Sequence, residues 1–439
     1  MRTVLAIAAL AVVPALAGAG VRRQTNTAVA WAAGWIAIAL TAAIAHAVRA
    51  PQGVAYAAIA VCAAGGTAFT ARNGAGRASL APPWRYLVGL LAVCTALNTV
   101  WLPVQEWDAV AIWYAKTRGL LEWRSVAALE LPLYPTLGAS AWALMLAISG
   151  LALEPIARLA LPMLCIAAIG ALPLLFDAPD RMLPRRTLVI VFLVAVATFN
   201  VGAATSGYQD QLIAAVIGIA AILLARALRD PTARSAALDV TLGCAFAGSA
   251  AMIKVEGAVA AVALVTSWVA AAWSSHGRTA IAAVVRPAAP VVLVLMVALW
   301  PAIALASGLS ASNFQPGIWT DVSPARFASG LSRLPQIARA YGALGPTWYL
   351  PIAAAAAASA GAWFASPHTR STLAWLWSFA VLHTLWNVGL FVVTNVDVAW
   401  HLRTALDRLE SQHGFAWTII LAVALVSLLD PAERAPTER

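Results

Sequence analysis

The chain has 439 residues, of which 62% are hydrophobic and only 10% charged, and its mean hydropathy is +0.82. A soluble domain carries roughly a quarter charged residues, so this composition excludes a soluble enzyme and indicates a polytopic membrane protein with its polar material in loops. The net charge of +10 does not point to nucleic acid, because the basic residues sit in short clusters between apolar runs, where they orient a membrane protein.

Apolar runs of about 17–22 residues can cross a ~30 Å hydrocarbon core. They occur near 4–20, 26–46, 54–71, 86–104, 158–176, 188–204, 211–228, 238–254, 257–273, 288–307, 348–366, 372–393 and 415–430. The expected fold class is therefore all-α, a transmembrane helix bundle of about 13 spans. The first run is expected to be a retained helix rather than a cleaved leader, because Arg22 and Arg23 follow it directly and suit a cytoplasmic loop. The stretch 136–150 is apolar but short, bounded by Pro135 and Gly150. It reads as a helix lying at the surface or dipping partway in. Cys62, Cys94, Cys165 and Cys244 all fall in apolar runs and are expected to be free thiols in the core. No metal-ligand spacing of His and Cys occurs.

If 136–150 does not cross and the 105–135 loop faces outward, the inner loops hold 16 of the 28 basic residues. The Arg181/Arg185/Arg186 cluster is the strongest local argument for this topology. The long loops 105–135, 308–347 and 394–414 then share the outer side, and long loops tend to carry function. The inner loops are short and contain no glycine-rich phosphate loop.

The first outer loop opens with Glu106, Trp107 and Asp108, followed by Trp113, Tyr114 and Lys116. Ionisable groups at a span exit are the exception in membrane proteins and point to function. On a helix over 108–121, Asp108, Ile112 and Ala115 share a face. The indoles suit an interfacial belt and equally the apolar face of a sugar ring. Three further clusters fall on the same side. Tyr208 and Asp210 precede a long apolar helix, where Asp210 either complements the helix N-terminus or takes part in chemistry. Lys254 and Glu256 interrupt an apolar run, marking a tight turn or a place for a lipid phosphate. In the last loop His401, Arg403, Thr404, Asp407 and Arg408 fall at helical spacing. Arg403 and Asp407 are an i,i+4 pair, and two guanidinium groups suit a phosphate. His383 and Asn387, one turn apart within a span, read as an interhelical hydrogen bond.

The order of these motifs resembles the bacterial GT-C class of membrane glycosyltransferases, which includes the protein O-mannosyltransferases and the lipid A aminoarabinose transferase. The resemblance runs over Trp107-Asp108-Ala109, Trp113, Lys116, Tyr134-Pro135, Gly207-Tyr208, Asp210, Lys254, Glu256-Gly257, Trp400-His401, Thr404 and Arg408. It departs before Tyr134, where relatives often carry His or Asp and this chain has Leu129-Glu130-Leu131-Pro132-Leu133.

The resemblance implies a GT-C core over 86–430, additional N-terminal helices over 1–85 and a short cytoplasmic tail over 431–439. It implies sugar transfer from a polyprenyl-phosphate-linked donor to a lipid, glycan or protein acceptor, at the outer face of a bacterial cytoplasmic membrane. Asp108 would be the catalytic base, with Glu106, Asp210 and Glu256 as supporting acids. Lys254, Arg408, Lys116 and Arg403 would bind the donor phosphate, and Trp107, Trp113, Tyr134, Tyr208 and His401 the sugar or acceptor. A divalent cation, Mg or Mn, would need the carboxylates at 106, 108 and 210 to converge. The rival expectations are a transporter or lipid flippase, which usually places its polar groups near the bilayer midplane, and a scaffold that binds a partner through its outer loops.

Overall fold

The computed structural model describes residues 2–21, 25–73, 82–104, 106–176, 184–233, 235–284, 288–309 and 323–429. The tail 431–439, Gln105, Arg181 and residues 310–322 of the 308–347 loop lie outside them. Among the described residues the chain is helical, with no strand. In hydrocarbon a helix satisfies its backbone polar groups within itself, which an open sheet cannot do.

Each predicted run is helical. Among the described residues, seven helical segments are long and apolar enough to cross a membrane: Thr27–Ala47, Leu151–Leu175, Asp210–Arg229, Glu256–Gly277, Ala288–Ala306, Pro367–Val393 and Val398–Leu429. The others are shorter, interrupted or less apolar. The 188–204 run, for instance, breaks at Phe199 into Arg185–Thr198 and Val201–Thr205. The Asn200 side chain there accepts a hydrogen bond from Ala203 N and starts the second piece.

Helix Asp210–Arg229 is the axis of the molecule. It is buried along almost its whole length, as expected of a helix apolar on every side. Helices Ala160–Ala171, Ala236–Ser249 and Gly414–Leu429 surround it. Ala288–Ala306 is as apolar but mostly exposed, the kind of surface that faces lipid.

The N-terminal helices form a layer against this body. Arg2–Ala17 meets Thr27–Ala47 backbone to backbone: a Cβ on Gly34 would stand 1.9 Å from the Pro14 carbonyl oxygen. Thr27–Ala47 in turn packs on Leu137–Ser149 and Ala160–Ala171. Leu137–Ser149 departs from its expected surface position. Its 13 residues are too few to cross, but they are buried almost throughout, with Trp142 wholly enclosed. The physical reason is composition: the segment has no charged face to turn toward water.

A buried cation fastens this region. Arg158, fully buried, pairs with Glu154 at 3.2 Å. It donates to the carbonyl oxygens of Thr99 at 3.1 Å and Leu102 at 2.7 Å. Those carbonyls end helix Pro82–Trp101 and lack partners within it.

Candidate active site

The segment after helix Pro82–Trp101 supplies the first wall. Residues Ala109–Tyr114 form a π-helical turn that runs into helix Ala115–Leu121. Such wide turns are rare and frequent at functional sites. The widening alters the expected face. Trp107, Asp108, Ile112 and Trp113 all line one cavity, and Ala115 does not. Trp113 is nearly buried, whereas Trp107 is 73% exposed at the rim.

That cavity, of about 250 Å³, is closed by groups from distant parts of the chain. Tyr134, Lys254 and Glu256 form one side, and His401, Thr404 and Arg408 the other. Arg408 forms an ion pair with Asp108 across 300 residues of sequence. Its guanidinium carbon lies 5.6 Å from the centre of the Tyr208 ring, a cation–π distance. The Tyr208 hydroxyl donates to Glu106 at 3.3 Å. Burial, and then the Glu106 carboxylate, push that phenol up to about 12. Gly207 makes the turn with φ of 95°, a conformation that glycine adopts without strain.

Lys254 sits at the buried end. Its ammonium contacts Asp210 Oδ1 at 2.9 Å, and the same oxygen accepts from Gln412 Nε2 at 2.7 Å. Burial by itself would lower the Lys254 pKa, but Asp210, Glu256 and Tyr134 outweigh it and the net shift is upward. Lys254 therefore stays cationic. Glu256 raises the Tyr134 phenol, as does burial. Asp210 is the first residue of its helix and 2% exposed. It stands behind the cavity wall, where it holds Lys254.

Two of the expected phosphate ligands are placed elsewhere. Lys116 is fully buried and does not line the cavity. It donates to the carbonyl oxygens of Leu131 at 3.0 Å and Tyr134 at 2.6 Å. Burial pushes its ammonium down to about 7, against the opposing charge of Glu130. Leu131 has φ of 42°, a left-handed backbone that costs a residue with a Cβ about 1–2 kcal/mol. Lys116 thus holds a strained turn whose Leu131 and Tyr134 side chains reach the cavity. Arg403 is exposed and also absent from the lining. Its expected pairing with Asp407 does not form. Asp407 instead accepts from the Arg408 backbone N–H at 2.8 Å.

His401 lines the cavity, held by Thr394 Oγ1 at 3.0 Å and by an edge contact with Phe391 at 4.9 Å. Neither Glu106 nor Tyr208 lines the cavity; the Tyr208 ring meets Arg408, and Glu106 meets the Tyr208 hydroxyl. Glu130, in the segment that departs from the motif, is exposed and outside the lining. Among the described residues no group of three His, Cys, Asp or Glu side chains could hold a metal ion.

Sequence reading missed Gln412, which binds Asp210, and the cluster around Glu410. That buried carboxylate accepts from Tyr341 OH at 2.7 Å, Asn387 Nδ2 at 2.9 Å and Thr384 Oγ1 at 3.3 Å. His413 Nε2 is 3.3 Å from it, and His413 Nδ1 is 2.9 Å from His383 Nδ1. The interhelical role expected of His383 and Asn387 is what they perform. The available signal was Glu410, Gln412 and His413 falling together just before an apolar run.

Comparison with family models, with curated proteins and with solved structures finds no match to this chain. The fold and the cavity define an all-α membrane protein with a charged, aromatic-walled site where several helices begin and end.

Proposed function

We propose that the chain is a membrane glycosyltransferase that moves a sugar from a polyprenyl-phosphate-linked donor to an acceptor hydroxyl at the outer face of a bacterial cytoplasmic membrane. The observation that carries this reading is the convergence of Asp108, Lys254, Arg408, Tyr134 and His401 on one cavity from four separate stretches of sequence. The cavity offers a carboxylate for the acceptor proton and two cations for a departing phosphate.

In this reaction the acceptor oxygen attacks the anomeric carbon as the bond to the phosphate oxygen breaks. The ring gains oxocarbenium character, and the acceptor proton passes to the Asp108 carboxylate. The electron pair of the broken bond leaves with the polyprenyl phosphate, whose growing charge is met by Lys254 and Arg408 in a site of low dielectric. The Lys254 shift supports this role, since an ammonium held cationic keeps its charge throughout. Trp107 and Trp113 offer the sugar an apolar face. Attack opposite the leaving group inverts the anomeric carbon.

The test is transfer of a labelled sugar from a polyprenyl-phosphate donor by the purified protein. Asp108→Asn is expected to lower transfer by about 10²-fold or more while the thermal melt stays at the wild-type value. Full transfer by that variant with intact folding would sink the assignment. One observation favours a transporter instead: the buried His383–His413–Glu410 chain within the bundle. That reading predicts uptake or flipping of a lipid-linked sugar with no new glycosidic bond.

A further inference from the structure

Helix Val398–Ser411 has a cavity on each side. The second one, about 240 Å³, is lined by Asn200, Gln211, Trp348, Asp407, Ser411 and Trp417 among others. Asp407 and Arg408 are neighbours, yet Arg408 lines the first cavity and Asp407 the second. Asp210 and Gln211 divide in the same way: Asp210 holds Lys254 of the first, and Gln211 lines the second.

The two cavities differ in charge. The first contains Lys254, Arg408 and His401. Among the described residues, the second has no Lys, Arg or His in its lining, and one carboxylate. An anionic group would meet Asp407 there with no described lining cation to offset the repulsion. Other groups ask for hydroxyls. Gln211, 5% exposed, lines this cavity, and its amide can both donate to and accept from a ligand hydroxyl. Trp417 is 6% exposed and lines the cavity with part of its ring, the remainder packing on Trp377 and His413. Trp348 is partly exposed on another helix. Indole faces with an amide and a carboxylate at their edges match a pyranose ring, which is apolar across its face and polar around its rim.

We propose that this second cavity binds the terminal ring of a neutral saccharide. Its role as the seat of the acceptor rests on the proposed function; the binding does not.

The test uses the full-length protein in lipid nanodiscs, titrated with methyl glycosides of glucose, mannose and galactose. Saturation-transfer NMR and tryptophan fluorescence read the binding. At least one glycoside is expected to bind saturably. Gln211→Leu and Trp348→Ala should each weaken it about tenfold, the loss of roughly one buried hydrogen bond or stacking contact. Arg403→Ala, at an exposed position outside both cavities, should leave it unchanged, and hexose 6-phosphates should bind about tenfold less well than the neutral glycosides. Should Gln211→Leu fail to fold, Trp348→Ala, at a partly exposed site, carries the test. The proposal is overturned if no glycoside binds saturably, or if the folded variants bind as wild type does. Glycoside binding without sugar transfer from the labelled donor counts against the proposed function alone. Transfer without glycoside binding counts against this site alone.

Discussion

Lys116 and Lys254 show how little a residue's type says about its work. Both are buried lysines beside the same cavity, and their environments push them in opposite directions. Lys254 has a carboxylate partner at 2.9 Å and stays charged. Lys116 has carbonyl partners and burial, and titrates near 7. In the unfolded chain Lys116 regains its ordinary value, near 10.4. Between about pH 7 and about pH 10 the unfolded state thus binds one proton more than the folded state, and stability rises with pH across that window. Below it both states are protonated and the burial penalty is complete. The melting temperature of the wild type, measured against Lys116→Met, is therefore expected to rise from about pH 7 to about pH 9.5. A falling difference would refute the assignment. Both lysines were visible in the sequence as oddities in an apolar chain. Which of them faced the cavity was not, because a carboxylate 44 residues away settles the matter.

Among the elements, the helices were legible and their irregularities were not. Apolar runs of span length announce helices without regard to context, and each predicted run is helical. The π-helical turn at Ala109–Tyr114 has no sequence signature. It follows from tertiary packing, and it is what brings Trp113 to the side of Asp108. The amphipathic Val398–Ser411 helix was expected from its charges, yet Arg403 and Arg408 part company on it. Only Arg408 turns toward a carboxylate. Arg158 was passed over because a basic residue near an apolar run looks like a solvated end. It is instead the cation on which the end of Pro82–Trp101 rests. Arg158→Met is expected to destabilise the protein by about 3–5 kcal/mol, the cost of breaking a buried pair from one side. Adding Glu154→Gln should restore part of the loss. Reversible unfolding in mixed detergent would measure both, and a single variant as stable as wild type would remove Arg158 from this role.

At the scale of the molecule, composition was enough for an all-α membrane protein. It was not enough for the number of spans, since among the described residues seven segments have full length and apolarity and the other runs are shorter, interrupted or less apolar. A buried helix such as Leu137–Ser149 is apolar because protein surrounds it, and hydropathy alone cannot tell that from lipid. The assignment of faces remains an expectation from charge, and it is directly checkable. Arg124→Cys, on the loop that follows Asp108, is expected to react with a membrane-impermeant maleimide in intact cells. Thr232→Cys, at the far end of the axial helix, should react only after the membrane is opened. The reverse pattern would turn the molecule over.

The Arg408–Asp108 ion pair also bears on the order of events. The carboxylate proposed as base is engaged by a guanidinium, and a carboxylate so engaged is slow to take a proton. Under the proposed function, an arriving donor phosphate would compete for Arg408 and release it. Donor would then bind before acceptor in a compulsory sequence, and an acceptor arriving alone would meet a site not yet armed. Initial-rate kinetics should show that sequence, with polyprenyl phosphate competing against the donor.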